Sequence, residues 1–297
     1  MVRNITKKRK VFKPGDFAMD FVVYVLLIGL TIVTFYPVWY VIVASFSNST
    51  EIAIKGGIML WPSKIDLGAY KLVFKNDDLL RGFKNSVLVL AGSLPINLVL
   101  TLFCGYFLSC TGMFWKKLIV GLIMFTMYFG GGLIPSYLNI KELGLYNTLW
   151  ALIIPGAVGV TNSIICKTSI EAIPDSLKES AYLDGATDFQ IIFKIVVPLI
   201  KATLAVLTLY YGIGHWNSWF AASIYLKGDE LLPVQNILRE ILLANSESSE
   251  LDGDKFNSYA ETIKYAAIVV STFPVMCIYP FLQKYFTKGA LIGAVKG

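Results

Sequence analysis

A single histidine, His215, sets the first limit on the chemistry open to this 297-residue sequence. An H-E-x-x-H zinc site needs two, and a Ser-His-Asp triad would have to be built around this one. His215 precedes Trp216-Asn217-Ser218-Trp219, where a structurally satisfied residue at a membrane interface is expected. The four cysteines, Cys104, Cys110, Cys166 and Cys277, have neither metal nor redox spacing and read as small buried apolar residues. No G-x-x-x-x-G-K-[ST] phosphate loop occurs, so the chain is expected to bind no ATP of its own in that manner, and no metal. Acidic residues are nearly missing from the interiors of the apolar runs, where a proton- or sodium-coupled carrier would need ionisable groups. Asp20 and Lys201 stand close to run ends. The energy source is therefore expected on a partner.

What remains is a polar segment, 167–194, built as structure rather than loose loop. Ser176-Leu177-Lys178-Glu179 reads as a capping box and Thr187-Asp188-Phe189-Gln190 as a second, with Pro174 just ahead of the first. The pattern predicts a short helix over 177–183, a turn at Asp184-Gly185-Ala186 and a second helix continuing into the next apolar run. Small and apolar residues on an exposed helix suit a knob for a partner's groove.

The elements around this segment follow from composition. Mean hydropathy is +0.63, 56% of residues are hydrophobic and 15% are charged; soluble domains carry roughly a quarter charged residues. Spanning a bilayer takes about 20 apolar residues as a helix. Six runs are expected to do so: 19–45, 86–110, 118–138, 146–166, 191–211 and 263–286. They are too continuously apolar for barrel strands. The expected fold is an all-α membrane protein with six transmembrane helices, the polar segment lying between the fourth and fifth. The first run is too long for a signal-peptide core and lacks a cleavage site, so it is expected to stay as a span.

Lys and Arg fix the expected orientation. Arg3, Lys7, Lys8, Arg9, Lys10 and Lys13 precede the first span, and Lys116, Lys117, Lys167, Lys178, Lys194, Lys284, Lys288 and Lys296 fall on the same side. The loop 227–261 is acidic, with Asp229, Glu230, Glu240, Glu247, Glu250, Asp252, Asp254 and Glu261 against few cations. Both termini are thus expected inside: a basic N-terminus over 1–18, a six-span domain over 19–286 with polar inner loop 170–190 and outer loop 227–261, and an inner tail over 287–297. The net charge of +6 is membrane topology, not nucleic-acid binding.

Tyr128-Phe129-Gly130-Gly131-Gly132-Leu133-Ile134-Pro135 is expected to loosen or break the third span. Such backbone either lines a water-filled path or packs closely against neighbouring helices. Amphipathic helices are expected near 67–83 and 232–244, and the six tryptophans as interfacial anchors.

The stretch from Ile173-Pro174 through Glu179-Ser180-Ala181-Tyr182-Leu183-Asp184-Gly185-Ala186-Thr187, followed by Phe193 and Val197-Pro198-Leu199, resembles the E-A-A…D-G-A loop of ABC importer permeases. Further likeness lies in 130–135, Gly144-Leu145-Tyr146-Asn147-Thr148, 215–219 and the tail 288–297. The whole chain resembles carbohydrate-uptake permeases of the maltose-permease G type, in the complex-oligosaccharide branch. The usual Ala at the second loop position is Ser180, a small-for-small change.

The resemblance implies a type I ABC importer permease in the bacterial inner membrane. It also implies partners: a second, similar permease, two ATP-binding cassette subunits carrying ATP and Mg, and an extracellular solute-binding protein. The coupling helix, Glu179 to Ala186, would carry ATPase closure into the spans, and the outer loop would contact the binding protein. Tyr128, Gly131, Trp216, Asn217 and Trp219 are candidates for the substrate path, since aromatic faces and amides suit sugars. A permease for peptides or amino acids, and an ion-coupled carrier, are the competing readings.

Overall fold

The structure is a computed structural model, describing residues 14–112, 114–247 and 257–294; all described regular structure is helical. The basic residues Arg3 to Lys13 and the acidic stretch 248–256 lie outside the described residues. Of the tail, only the backbone through Ala294 is described.

The chain begins with α1 (Pro14–Ser45), followed by the short α2 (Ser49–Lys55) and α3 (Gly68–Phe74), and then the 33-residue α4 (Asp77–Ser109). α5 (Lys116–Tyr128) and α6 (Leu133–Glu142) come next, then α7 (Trp150–Ile153), α8 (Val160–Glu171) and α9 (Asp175–Leu183). α10 (Asp188–Ile191) continues through a π-helical turn, Ile192–Val196, into α11 (Val197–Leu199). α12 (Lys201–Trp216), α13 (Trp219–Tyr225), α14 (Val234–Glu247) and α15 (Asn257–Ala294) complete the order.

Among the described residues, three helices are long and apolar enough to cross a membrane: Met19–Ser45 of α1, α4, and Glu261–Ile278 of α15. Two bent pairs pass the same test together. α5 and α6 meet at 114°, and the 188–199 helix meets α12 at 85°. The first break falls on the triple glycine, where Gly132 takes φ +90°, a conformation glycine adopts freely. The second corrects the expected helix running unbroken from the polar segment into the fifth span. The π-helical turn and Pro198 spoil the regular hydrogen-bond ladder, and the chain turns at Ile200. The expected fourth span, 146–166, is divided into α7 and α8 by the irregular 154–159 stretch.

By contacts the molecule forms two compact units: one through Tyr70 together with the start of α15 to Val269, the other from Lys71 onward with the rest of α15. In the first, Val43, Ala44, Ile52 and Met59 form a core flanked by Trp39, Tyr40 and Tyr265. Tyr36 donates to Gly57 O at 2.8 Å, and the Trp39 indole N–H donates to Leu60 O at 2.9 Å. These aromatics hold down the loop after α2.

The second unit is organised on α4. One of its faces buries Gly82, Ser86, Val89, Ser93, Asn97, Thr101 and Gly105, three or four apart and, Val89 excepted, small or polar. Such a stripe lets helices approach closely. A Cβ on Gly105 would stand 2.8 Å from Cys166 Cβ, so α4 and α8 pack almost backbone to backbone. On Gly82 it would stand 3.1 Å from Val234 Cα, which seats α14 at the other end of α4.

Candidate functional site

The polar segment takes its shape from two caps. α9 starts after Pro174 with no side-chain cap, so the expected Ser176–Glu179 capping box does not form. The helix begins one residue before Ser176, which leaves that side chain inside the first turn rather than at the cap. The other end is strongly specified. Gly185 N–H donates to Tyr182 O at 3.0 Å and Ala186 N–H to Ala181 O at 2.9 Å, the paired bonds of a Schellman stop. Gly185 occupies φ +78°, which an L side chain rarely adopts. The predicted second box is present: Gln190 N–H donates to Thr187 Oγ1 at 3.4 Å, and Thr187 N–H to Gln190 Oε1 at 3.0 Å.

The eight residues Glu179 to Ala186 divide between two faces. Ala181 and Ala186 pack on a core of Leu102, Ile170, Ile173, Ile191, Val196 and their neighbours. Glu179, Ser180, Asp184 and Gly185 are exposed, and Leu183 is 89% exposed. An apolar side chain that bare, held at the end of a capped helix, suits a partner's surface. Nothing lies within 4 Å of where a Gly185 Cβ would be, so the turn is open on its outer side.

Tyr182 works differently. Its hydroxyl donates to Asp188 Oδ1 at 2.5 Å, and Tyr106 of α4 donates to the same oxygen at 2.9 Å. The two hydroxyls stand 3.1 Å apart. Donation to the carboxylate pushes the Tyr182 phenol above its ordinary pKa. A polar cavity of ≈ 460 Å³ opens beside this group, bordered by Ser109, Cys110, Asp175, Lys178 and Glu179. Phe103 of α4 adds edge-on contacts to Phe189 and Phe193 at 5.7 and 6.2 Å. The segment is thus fastened to α4 by both polar and aromatic groups.

The five residues assigned to a substrate path fall in two places. Tyr128 and Gly131 lie on the α5–α6 bend, Tyr128 being 73% exposed. Trp216, Asn217 and Trp219 lie together at the α12–α13 junction. Trp216 is 5% exposed and donates its indole N–H to Ser271 O at 3.2 Å, so its polar edge is spent on the fold. Trp219 carries the Arg239 guanidinium 4.0 Å over its ring.

Sequence reasoning missed a polar cluster on α4. Asn97 is fully buried; its amide nitrogen donates to Gly156 O at 2.8 Å and Ala157 O at 3.1 Å, and its oxygen pairs with His215 Nε2 at 3.1 Å. Tyr211 OH pairs with Thr101 Oγ1 at 2.6 Å and accepts from Gly159 N–H at 2.9 Å. These side chains satisfy the backbone groups that the 154–159 break leaves unpaired. A cavity of ≈ 320 Å³ beside them is lined by Gly156, Tyr210, Tyr211, His215, Ser218 and Tyr225. A buried amide in the middle of an apolar run was the available signal.

The family model described as "Binding-protein-dependent transport system inner membrane component" matches residues 84–291. The chain is 38% identical over 282 residues to the polygalacturonan/rhamnogalacturonan transport system permease protein YtcP of Bacillus subtilis, covering 94% of this chain and 98% of that one. It is 36% identical to Protein LplC of the same organism, over 91% of this chain and 92% of that one. Among solved structures, a chain of a bacterial ABC transporter involved in the import of the acidic polysaccharide alginate matches with TM-score 0.83 and 30% identity, covering 94% of this chain and all of that one. The fold, the span-length helices and these likenesses agree: this multi-pass chain belongs to the family of binding-protein-dependent transport system inner membrane components.

Proposed function

We propose that this chain is the permease subunit of an ATP-driven importer of carbohydrate, an oligosaccharide, and forms half of the translocation path. The observation carrying this reading is the full-length likeness to YtcP, a polygalacturonan/rhamnogalacturonan transport system permease protein. The matching chain of the alginate-importing ABC transporter, at 30% identity, supports the same substrate class. The cavity bordered by Tyr210, Tyr211, His215 and Ser218 offers aromatic faces and hydrogen-bonding groups that suit a sugar.

In this reading α9 and its Gly185 turn form the coupling helix. The exposed face, with Glu179, Ser180, Leu183 and Asp184, docks on an ATP-binding cassette subunit, one of two that carry ATP and Mg. A second, homologous permease completes the path, and an extracellular binding protein delivers the sugar near the 227–261 loop. Both termini are cytoplasmic.

Purification from membranes tests this directly. The chain is expected to bring an ATP-binding cassette subunit and a second permease with it, and vesicles holding the complex and its binding protein are expected to take up galacturonate oligomers only with ATP inside. Uptake by the chain alone, driven by an ion gradient, would overturn the reading.

A further inference from the structure

The 85° bend at Ile200 raises a mechanical question. If α9 is gripped by an ATPase, its displacement cannot be transmitted along a straight rod into α12, because there is no such rod. The bend is itself packed: Ile200, 4% exposed, sits in one core with Leu102 and Ile170, and α12 is tied to α4 by Asn97–His215 and Thr101–Tyr211. Lateral attachments run to α4 and α8. Ala181 and Ala186 pack with Leu102, Tyr106, Cys166 and Ile170 on α4 and α8, and Phe103 meets Phe189 and Phe193. At their edge, one carboxylate oxygen of Asp188 receives both phenols, Tyr182 from α9 and Tyr106 from α4.

We propose that Tyr106, Tyr182 and Asp188 form the joint through which movement of the cytoplasmic segment enters the membrane domain, so that α9, α10 and α4 move as one body. The inference rests on the reading of α9 as the ATPase-docking helix and extends it. Asp188 is the pivotal group. It sits in the first turn of α10, where the helix N-terminus favours a carboxylate, and it ties three elements through one oxygen. Hydrogen bonds to an ionised group are about twice as strong as neutral ones, so the joint holds in a polar cavity where neutral pairs would exchange with water. Tyr106 is a positioning residue: it is on α4, outside the docking face.

Spin labels on the assembled complex in lipid test the route. In a background with the native cysteines replaced, labels at Ser176→Cys and Leu100→Cys report α9 against α4. Labels at Ser176→Cys and Tyr210→Cys report α9 against α12. When ATP and vanadate close the ATPase, both separations are expected to stay within about 2 Å, the scale of a packed helix shift, because α12 is tied to α4 by Asn97–His215 and Thr101–Tyr211. In Tyr106→Phe, and separately in Asp188→Asn, the first separation is expected to change by more, while ATPase co-purification and vanadate trapping persist. A first separation that changes in the unaltered joint, or that stays fixed in both variants, overturns the joint. Absence of a co-purifying ATPase from the unsubstituted complex instead overturns the functional reading, and the two failures are read from different samples.

Discussion

Gly185 separates folding from docking at a single position. Its φ of +78° makes any side chain cost about 1 kcal/mol, yet a Cβ there meets nothing in this chain. Gly185→Ala is therefore expected to insert and fold. Gly185→Trp is expected to reach the membrane too, but to lose ATPase association by at least about 30-fold, the effect of blocking an interface contact worth about 2 kcal/mol. Co-purification yield checks it; normal ATPase binding by the Trp variant would remove Gly185 from the interface. Asn97 is the opposite case, with every polar atom used inside the chain. Asn97→Leu leaves Gly156 O and Ala157 O without their donor and His215 without its partner. A loss of about 1–3 kcal/mol is expected, seen as a lower melting temperature of the detergent-solubilised protein. Gly185 could be read from the sequence because a glycine between two helix signals has few meanings. Asn97 could not, because the break it repairs is formed by residues some sixty positions away.

At the scale of elements, the apolar runs gave up their lengths more readily than their bends. Periodicity and composition found α1, α4 and the apolar part of α15, where nothing but a helix satisfies the backbone. They also found the Thr187 box, which depends on three neighbouring residues. They misjudged the Ser176 box and the continuity into α12, because both depend on where a helix is packed rather than on local preference. The closeness of α4 and α8 was hidden for the same reason, since Gly105 in an apolar run looks like many other glycines. It now makes a sharp prediction. A Cβ at 105 would lie 2.8 Å from both Cβ and Sγ of Cys166 and 3.1 Å from the Lys167 backbone nitrogen. Gly105→Ala is expected to push the helices apart and destabilise by about 1–3 kcal/mol. Transferring the space with Gly105→Ala and Cys166→Gly is expected to recover part of the loss in a thermal melt. Equal melting temperatures for the single variant and the parent would mean that the contact is looser than the geometry indicates.

For the whole molecule, sidedness can be argued from α4 alone. Glu230 and Leu232 of the acidic loop are held by Asn85 through its amide nitrogen, and Val234 N–H donates to Ser86 Oγ. The 182–188 segment is held by Tyr106. Between Asn85 and Tyr106 the helix advances about 30 Å, the thickness of the hydrocarbon core. The acidic loop and the polar segment therefore attach at opposite membrane faces, as their charges suggested. Lys and Arg cluster with the polar segment, and by the charge rule we propose that face as the inner one. A single cysteine at Ser176 is expected to react with a membrane-impermeant maleimide in inside-out vesicles and to be protected in right-side-out ones, with Gly228→Cys showing the reverse. Reaction of both positions from the same side would contradict the α4 ruler, and a swapped pattern would contradict the charge rule. Each result identifies which of the two arguments failed.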